Sequence, residues 1–320
     1  MPNRLEIQAP WAADVTATEM DFLDFSFFVS KLGQKHLPSP TQVAAHSPDF
    51  HTNPWPKPVK FEHLKLIIKF GPCVVVEEAL CLCMLWKTFP KKVPVPEVYG
   101  WRVEEGHMFI YMELIEGETL HHWWDHLSDQ EKALICAQLK EIIAVLQQLE
   151  PDPSDPFIGM WMPGNLHQPI DLFTDKIVGS ITCQLLLDYV FKVMPSAGPF
   201  KTIKEFNDWF SALPQHQLPN SLKYKDPYWE FLPDDGTIRF THRGLHCSNI
   251  IISCTDLPHV MAVINWTHAG WYPDYWEYCK ALYTSHYNGE WHNTWIPRFL
   301  EQYPKEFTVF SEYVMQIGAV

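Results

Sequence analysis

The sequence predicts an α+β protein of two lobes: a small, mixed, β-rich N-lobe carrying one helix, then a larger and mainly helical C-lobe. Three observations lead there. The 320 residues are globular in balance, with 47% hydrophobic and 19% charged, and a chain of this length can bury a proper core. Up to about residue 114, short β-like apolar runs are punctuated by Gly and Pro, as strands and their turns are. From Leu120 onward the texture turns helical.

The elements follow in order. Phe22-Leu23 and Phe25 to Val29 form a dense apolar patch, read as a helix that packs on the main body. Prolines at 38, 40, 48, 54, 56 and 58 fix φ and remove donors, so this stretch reads as an extended connector rather than a regular element. Leu64 to Phe70 is a short strand that stops at Gly71-Pro72, and Val74 to Trp86 is a mostly buried helix. Val98 to Arg102 and His107 to Leu114 make a hairpin around Glu104-Glu105-Gly106. Ser128 and Glu131 form a capping-box pattern, and the apolar spacing of Ala133 to Leu149 predicts a long amphipathic helix. Asn249 to Ser253 and His259 to Trp266 are two β-like runs, and the aromatic-rich remainder reads as helical. These readings divide the chain into an N-terminal helical segment with its connector (1–58), an N-lobe (59–118) and a C-lobe (119–320).

Composition narrows the partners. The formal net charge of −14 and the lack of a basic run argue against nucleic acid, whose binding rests on Lys and Arg neutralising phosphates. No apolar window reaches the length of a membrane span, and Met1 to Met20 lack the basic flank and apolar run of a signal peptide. The eight cysteines contain no C-x-x-C pair, which disfavours zinc ribbons and thioredoxin-like chemistry and suits a cytoplasmic chain with reduced thiols. With 14 Trp, 20 Phe and 12 Tyr, the chain has ample flat apolar surface to line a small-molecule pocket. The oligomeric state stays open.

The run Thr241-His242-Arg243-Gly244-Leu245-His246-Cys247-Ser248-Asn249-Ile250 resembles the catalytic loop T-H-G-D-L-H-P-S-N-I of the aminoglycoside phosphotransferase and choline-kinase-type families. Val263-Ile264-Asn265-Trp266 with Ala269 to Glu277 looks like the V-I-D-W...A-G-W-Y-P-D-Y-W-E stretch of the family's fungal members. Lys69 resembles the β3 lysine, Glu78 its glutamate partner, and Tyr111 to Leu120 the hinge between lobes. Five such matches in chain order imply a protein-kinase-like fold with a ligand cleft between the lobes.

The departures from the family bear on function. The catalytic Asp that takes the acceptor's proton falls on Gly244, and the metal-binding Asp falls on Asn265. Phosphoryl transfer depends on placing the acceptor and on magnesium held by carboxylate. Losing a general base typically costs about 10²–10⁴-fold. No glycine lies between Asn53 and Lys69, where the family folds a glycine-bearing loop over the phosphates. In the family the retained Lys69 reaches nucleotide phosphates, Glu78 holds the lysine and Asn249 binds metal; each of these residues can equally stabilise the cleft without a ligand.

Arg243 stands at a family glycine, either as an anchor for a carboxylate or enolate or in a salt bridge with Asp274 or Glu277. His242 and His246 take structural hydrogen bonds by default, with acid–base work as the alternative. Asp274 resembles the family aspartate that braces the catalytic loop. His121, His122 and His126 lack a convincing third metal ligand and read as exposed. Trp123-Trp124, Trp161, Trp209 and the tryptophans from Trp266 to Trp276 read as core before pocket.

The expected function is a degenerate phosphotransferase fold repurposed as a cofactor-free enzyme of secondary metabolism. It would carry out cyclisation, isomerisation or elimination on a small apolar metabolite. Arg243, His242, His246 and Lys69 are the candidate catalytic groups. Glu78, Asn249, Asn265, Trp266 and Gly244 are the candidate substrate contacts, with no metal and no cofactor. Two alternatives stand beside it. One is a pseudokinase-like ligand-binding or scaffolding module. The other is a weak small-molecule phosphotransferase that recruits Asp234, Asp235 or Asp256.

Overall fold

The structure, a computed structural model, describes residues 17–29, 36–149, 158–160, 189–191, 194 and 197–318. It has the two-lobed α+β architecture. The first strand, β1 (Glu19–Asp21), is followed by α1 (Ser26–Val29) and α2 (Pro40–Ala45). Next come β2 (Val59–Phe61), β3 (Leu66–Gly71), α3 (Val76–Thr88), β4 (Val98–Glu104) and β5 (His107–Glu113). The five strands form one antiparallel sheet in the order β1-β4-β5-β3-β2. The alternation of Leu66, Ile68 and Phe70, all buried, with half-buried Ile67 and Lys69 sends Lys69 to the opposite face from the sheet's apolar core.

Two expectations for the first 58 residues are corrected. The patch from Phe22 to Val29 is not one helix: Glu19–Asp21 pairs with β4, and helix is confined to Ser26–Val29. Gly100 is what admits this strand, since a Cβ there would stand 2.2 Å from the Met20 carbonyl. Arg102 fastens it, donating to Asp21 and to the Met20 carbonyl. The proline stretch is not wholly extended either. Ser39 caps α2 in a capping box with Gln42, and Pro40 sits at the first helical position, where its missing N–H costs nothing.

The hinge runs from Glu113 to β6 (Glu118–Thr119), which opens α4 (Leu120–Trp123) and leads to α5 (Asp129–Leu146). Ser128 and Glu131 close the capping box expected there. Further along lie β7 (Gly159–Met160), α6 (Ile203–Ala212), β8 (Ile238–Thr241), β9 (Ile250–Ile252), β10 (Val260–Val263) and β11 (Gly270–Pro273). The chain then finishes with α7 (Trp276–Tyr283), α8 (Ile296–Phe299) and α9 (Pro304–Gln316). The stretch after Trp266 is thus not helical throughout: Gly270–Pro273 pairs with both β7 and β8. Its four residues are all buried, which suits a short central strand. A second small sheet, β10-β9-β6, ties the hinge to the loop that joins β8 and β9. An aromatic core of Phe206, Phe210, Tyr272, Trp276 and Phe310 fills the C-lobe. No helix of the described residues is long and apolar enough to cross a membrane.

Candidate functional site

The loop between β8 and β9 is pinned from below by one buried carboxylate. Glu277, on the first turn of α7, accepts the backbone N–H of His242 on Oε2 and that of Arg243 on Oε1, the latter at 2.9 Å. Burial pushes its carboxyl up to about 7, against the pull of the two N–H groups and of Arg243 and Lys280. A cavity of about 20 Å³, bounded by Arg239, Thr241, Asp274, Glu277 and Tyr303, lies behind this contact. Asp274 was expected to brace the loop, but its carboxylate receives the Thr237 N–H at 2.9 Å and hydroxyl at 3.0 Å. The brace is Glu277, three residues on.

Arg243 adopts φ +65°, a left-handed conformation that a non-glycine residue occupies at a cost of about 1–2 kcal/mol. Its guanidinium turns inward, donating to the Tyr272 hydroxyl and lying 4.4 Å from that ring's centroid. Only 4% of the residue is exposed, so the group faces the core. The salt bridge expected with Asp274 or Glu277 is replaced, for Glu277, by a bond from the Arg243 backbone.

His242 is equally committed. Its Nε2–H donates to the Ile264 carbonyl at 2.9 Å, which leaves Nδ1 to accept the Gly244 N–H at 3.0 Å. Burial drives its pKa down to about 3, so the ring is neutral and both nitrogens are engaged. Trp266 packs edge-on against it and gives its indole N–H to the Val263 carbonyl. At 1% exposure, Trp266 is core, against the expectation of a substrate contact. His246 is half-buried, and its pKa is lowered by burial and then by His121 and Lys280.

Four side chains join the lobes across the cleft. Lys69 donates to Glu78 at 2.6 and 2.9 Å, to Asn265 Oδ1 at 2.9 Å and to the Thr267 hydroxyl at 3.1 Å. Thr267 in turn donates to Glu78 Oε2 at 2.7 Å. An ammonium has three donors, and here Glu78, Asn265 and Thr267 take all of them. Glu78 is 1% exposed, so the pair is one that needs each of its partners. Asn265 stands at φ +68°, which Asn tolerates better than most residues. Thr267, two positions beyond Asn265, escaped the sequence reading; an unremarkable hydroxyl gives no signal until the lobes close on it.

A nucleotide with a divalent cation would need oxygen ligands here. Asn265 Oδ1 is bound to Lys69, and Asn265 Nδ2 points at Asn249 Oδ1 from 3.5 Å. Gly244 brings no side chain, and Glu78 is spoken for by Lys69 and Thr267. This donor set does not fit a hard dication, which prefers carboxylate oxygens. Among the described residues no group of three or more His, Cys, Asp and Glu gathers for a metal. Asp234 receives the Asn207 amide at 3.1 Å, and Asp256 sits in the turn between β9 and β10. His121, His122 and His126 are all exposed, and Trp161 lies outside the described residues.

Over the phosphate side, β2 is the edge of the sheet, and a single turn through Lys65, at φ +52°, joins it to β3. Among the described residues no glycine-bearing hairpin lies beyond it.

A profile of the phosphotransferase enzyme family, designated APH, matches residues 85–312, which takes in the hinge, the loop and Asn265 but not Lys69 or Glu78. No curated protein matches the sequence. Among solved structures, the chain is similar to an aminoglycoside phosphotransferase APH(3'')-Id from Streptomyces rimosus in complex with ADP and streptomycin. The two are 14% identical over 85% of this chain and 94% of that one, with a TM-score of 0.45. It is also similar to a thermostable mutant of aminoglycoside phosphotransferase APH(4)-Ia with ADP and hygromycin B, at 15% identity, 79% and 77% coverage and a TM-score of 0.42. With the family's sequence pattern running through most of the chain and through the loop just described, the protein belongs to the phosphotransferase enzyme family.

Proposed function

We propose that this chain keeps the family's fold without its ordinary phosphoryl transfer. In this reading it acts as a cofactor-free enzyme of secondary metabolism. Its substrate is a small, largely apolar metabolite that it cyclises, isomerises or cleaves by elimination. One observation carries the reading: every proton of the Lys69 ammonium is taken by Glu78, Asn265 and Thr267, and neither Gly244 nor Asn265 supplies the carboxylate that a metal-bound phosphoryl group needs. Catalysis here would rest on orientation and on fixed dipoles in a water-poor cleft. A second reading, a ligand-binding module without turnover, is favoured by the burial of Arg243 and His242, which leaves few polar groups facing a ligand.

Calorimetric titration with ATP and magnesium tests the loss of phosphoryl chemistry. No measurable heat is expected from the wild type, and clear micromolar, magnesium-dependent binding overturns the reading. The double reversion Gly244→Asp, Asn265→Asp asks for a small shift of Asn249, whose Nδ2 would lie a tight 3.3 Å from the new Cβ, on a backbone that is not left-handed at Gly244. It is expected to restore at most weak magnesium-dependent binding while the sheet edge over the phosphates stays bare.

A further inference from the structure

The loop's two imidazoles differ in one respect that decides what the cleft can offer a ligand. Asn249 is buried, and its amide orientation is fixed by a backbone carbonyl: Nδ2 donates to Gly244 O at 2.8 Å, and a carbonyl can only accept. The same Nδ2 lies 3.1 Å from His246 Nε2. Since the amide nitrogen has two protons and no lone pair, Nε2 must be the acceptor, and the ring's proton resides on Nδ1. Nδ1 has no protein partner among the described residues and is not sealed from solvent. The ring's place is set by the turn itself, where His246 N–H donates to Gly244 O and Asn249 N–H donates to His246 O, each at 2.9 Å.

We infer that Asn249 is a positioning residue that holds His246 as its Nδ1–H tautomer, so the loop meets its ligand with an imidazole hydrogen-bond donor and with no imidazole base. His242 has spent its lone pair on Gly244 N–H, and His246 has spent its own on Asn249. The ligand class that fits is therefore one presenting an acceptor oxygen, a carbonyl or enolate, to the His246 Nδ1–H. Reactions that need a proton removed by the loop are disfavoured; those that need a carbonyl polarised are served. This rests on the reading of the cleft as a ligand site, but its test uses no ligand and no turnover, so the two fail separately.

The test is a long-range ¹H–¹⁵N correlation spectrum of the ¹⁵N-histidine-labelled full chain at mildly alkaline pH, with His246 assigned by its loss in His246→Gln. Wild-type His246 is expected to show a protonated Nδ1 and a bare Nε2. Asn249→Asp, whose side chain can only accept, is expected to reverse the pattern. Should that variant fold poorly, Asn249→Ala serves, releasing the ring to the Nε2–H form. A bare Nδ1 in the wild type overturns the inference, as does a pattern unmoved by both substitutions. A second readout is acylation by diethyl pyrocarbonate, which needs an accessible imidazole lone pair. His246 should escape it in the wild type and react in Asn249→Ala. Ready modification of wild-type His246 also overturns the inference.

Discussion

Replacing Glu277 by Gln isolates the buried brace under the loop. Glutamine keeps the shape and one acceptor oxygen but turns an NH₂ toward the second backbone N–H. Leaving one buried donor unsatisfied costs about 1–3 kcal/mol. The pH dependence is more telling. Folding raises the Glu277 carboxyl from 4.5 to about 7, so the folded state binds that proton more tightly than the unfolded chain. The stabilisation this brings is fully present below 4.5, declines as pH rises, and is gone above 7. A difference of that size corresponds to about 3 kcal/mol at the acid limit. Glutamine does not titrate, so urea denaturation of the two proteins in parallel from pH 4.5 to 8 should show wild type gaining on Glu277→Gln as pH falls. Other carboxylates titrate alike in both and cancel. A gap that stays level, or widens toward alkaline pH, would refute the reasoning. It would mean that the two backbone N–H groups keep the carboxylate ionised throughout.

Two further substitutions probe the contact between the lobes. Lys69→Met should cost about 3–5 kcal/mol, because it strands the buried Glu78 charge without a cation. Denaturant unfolding without nucleotide reads this, and a loss under about 1 kcal/mol would show that the pair is not structural. Thr267→Val removes the hydroxyl that donates to Glu78 and should cost about 1–3 kcal/mol. Combined with Lys69→Met it should be non-additive by at least about 0.5 kcal/mol, since both touch one carboxylate; strict additivity would place Thr267 outside the network.

The β-rich lobe was legible because its strands announce themselves locally. Leu66–Gly71 stops at Gly71-Pro72 as read, and the hairpin turns at Glu105-Gly106 as read. The Ser128 box was legible for the same reason, since cap and helix lie within four residues of each other. What stayed hidden depends on partners distant in sequence. Glu19–Asp21 is a strand only because β4 lies beside it, and the short apolar patch after it could not say so. Pro40 looked like a breaker until Ser39 was seen to cap it. In the loop, residue types disclosed where the family pattern departs, but not direction. That Arg243 turns into the core against Tyr272, and that Glu277 rather than Asp274 holds the backbone, follow from side-chain geometry thirty residues away.

The strand added before α1 has a bearing on how the protein can be handled. With Glu19–Asp21 in place, the outer side of β4 is occupied: Val103 N–H donates to Thr18, and Phe22 N–H donates to Tyr99. A shortened version beginning at the connector would strip that cover and leave β4 as a bare edge, flanked by Tyr99 and Trp101. Unpaired edges recruit strands from other chains. Trimming the amino terminus to obtain a tidier core would thus trade a three-residue strand for self-association.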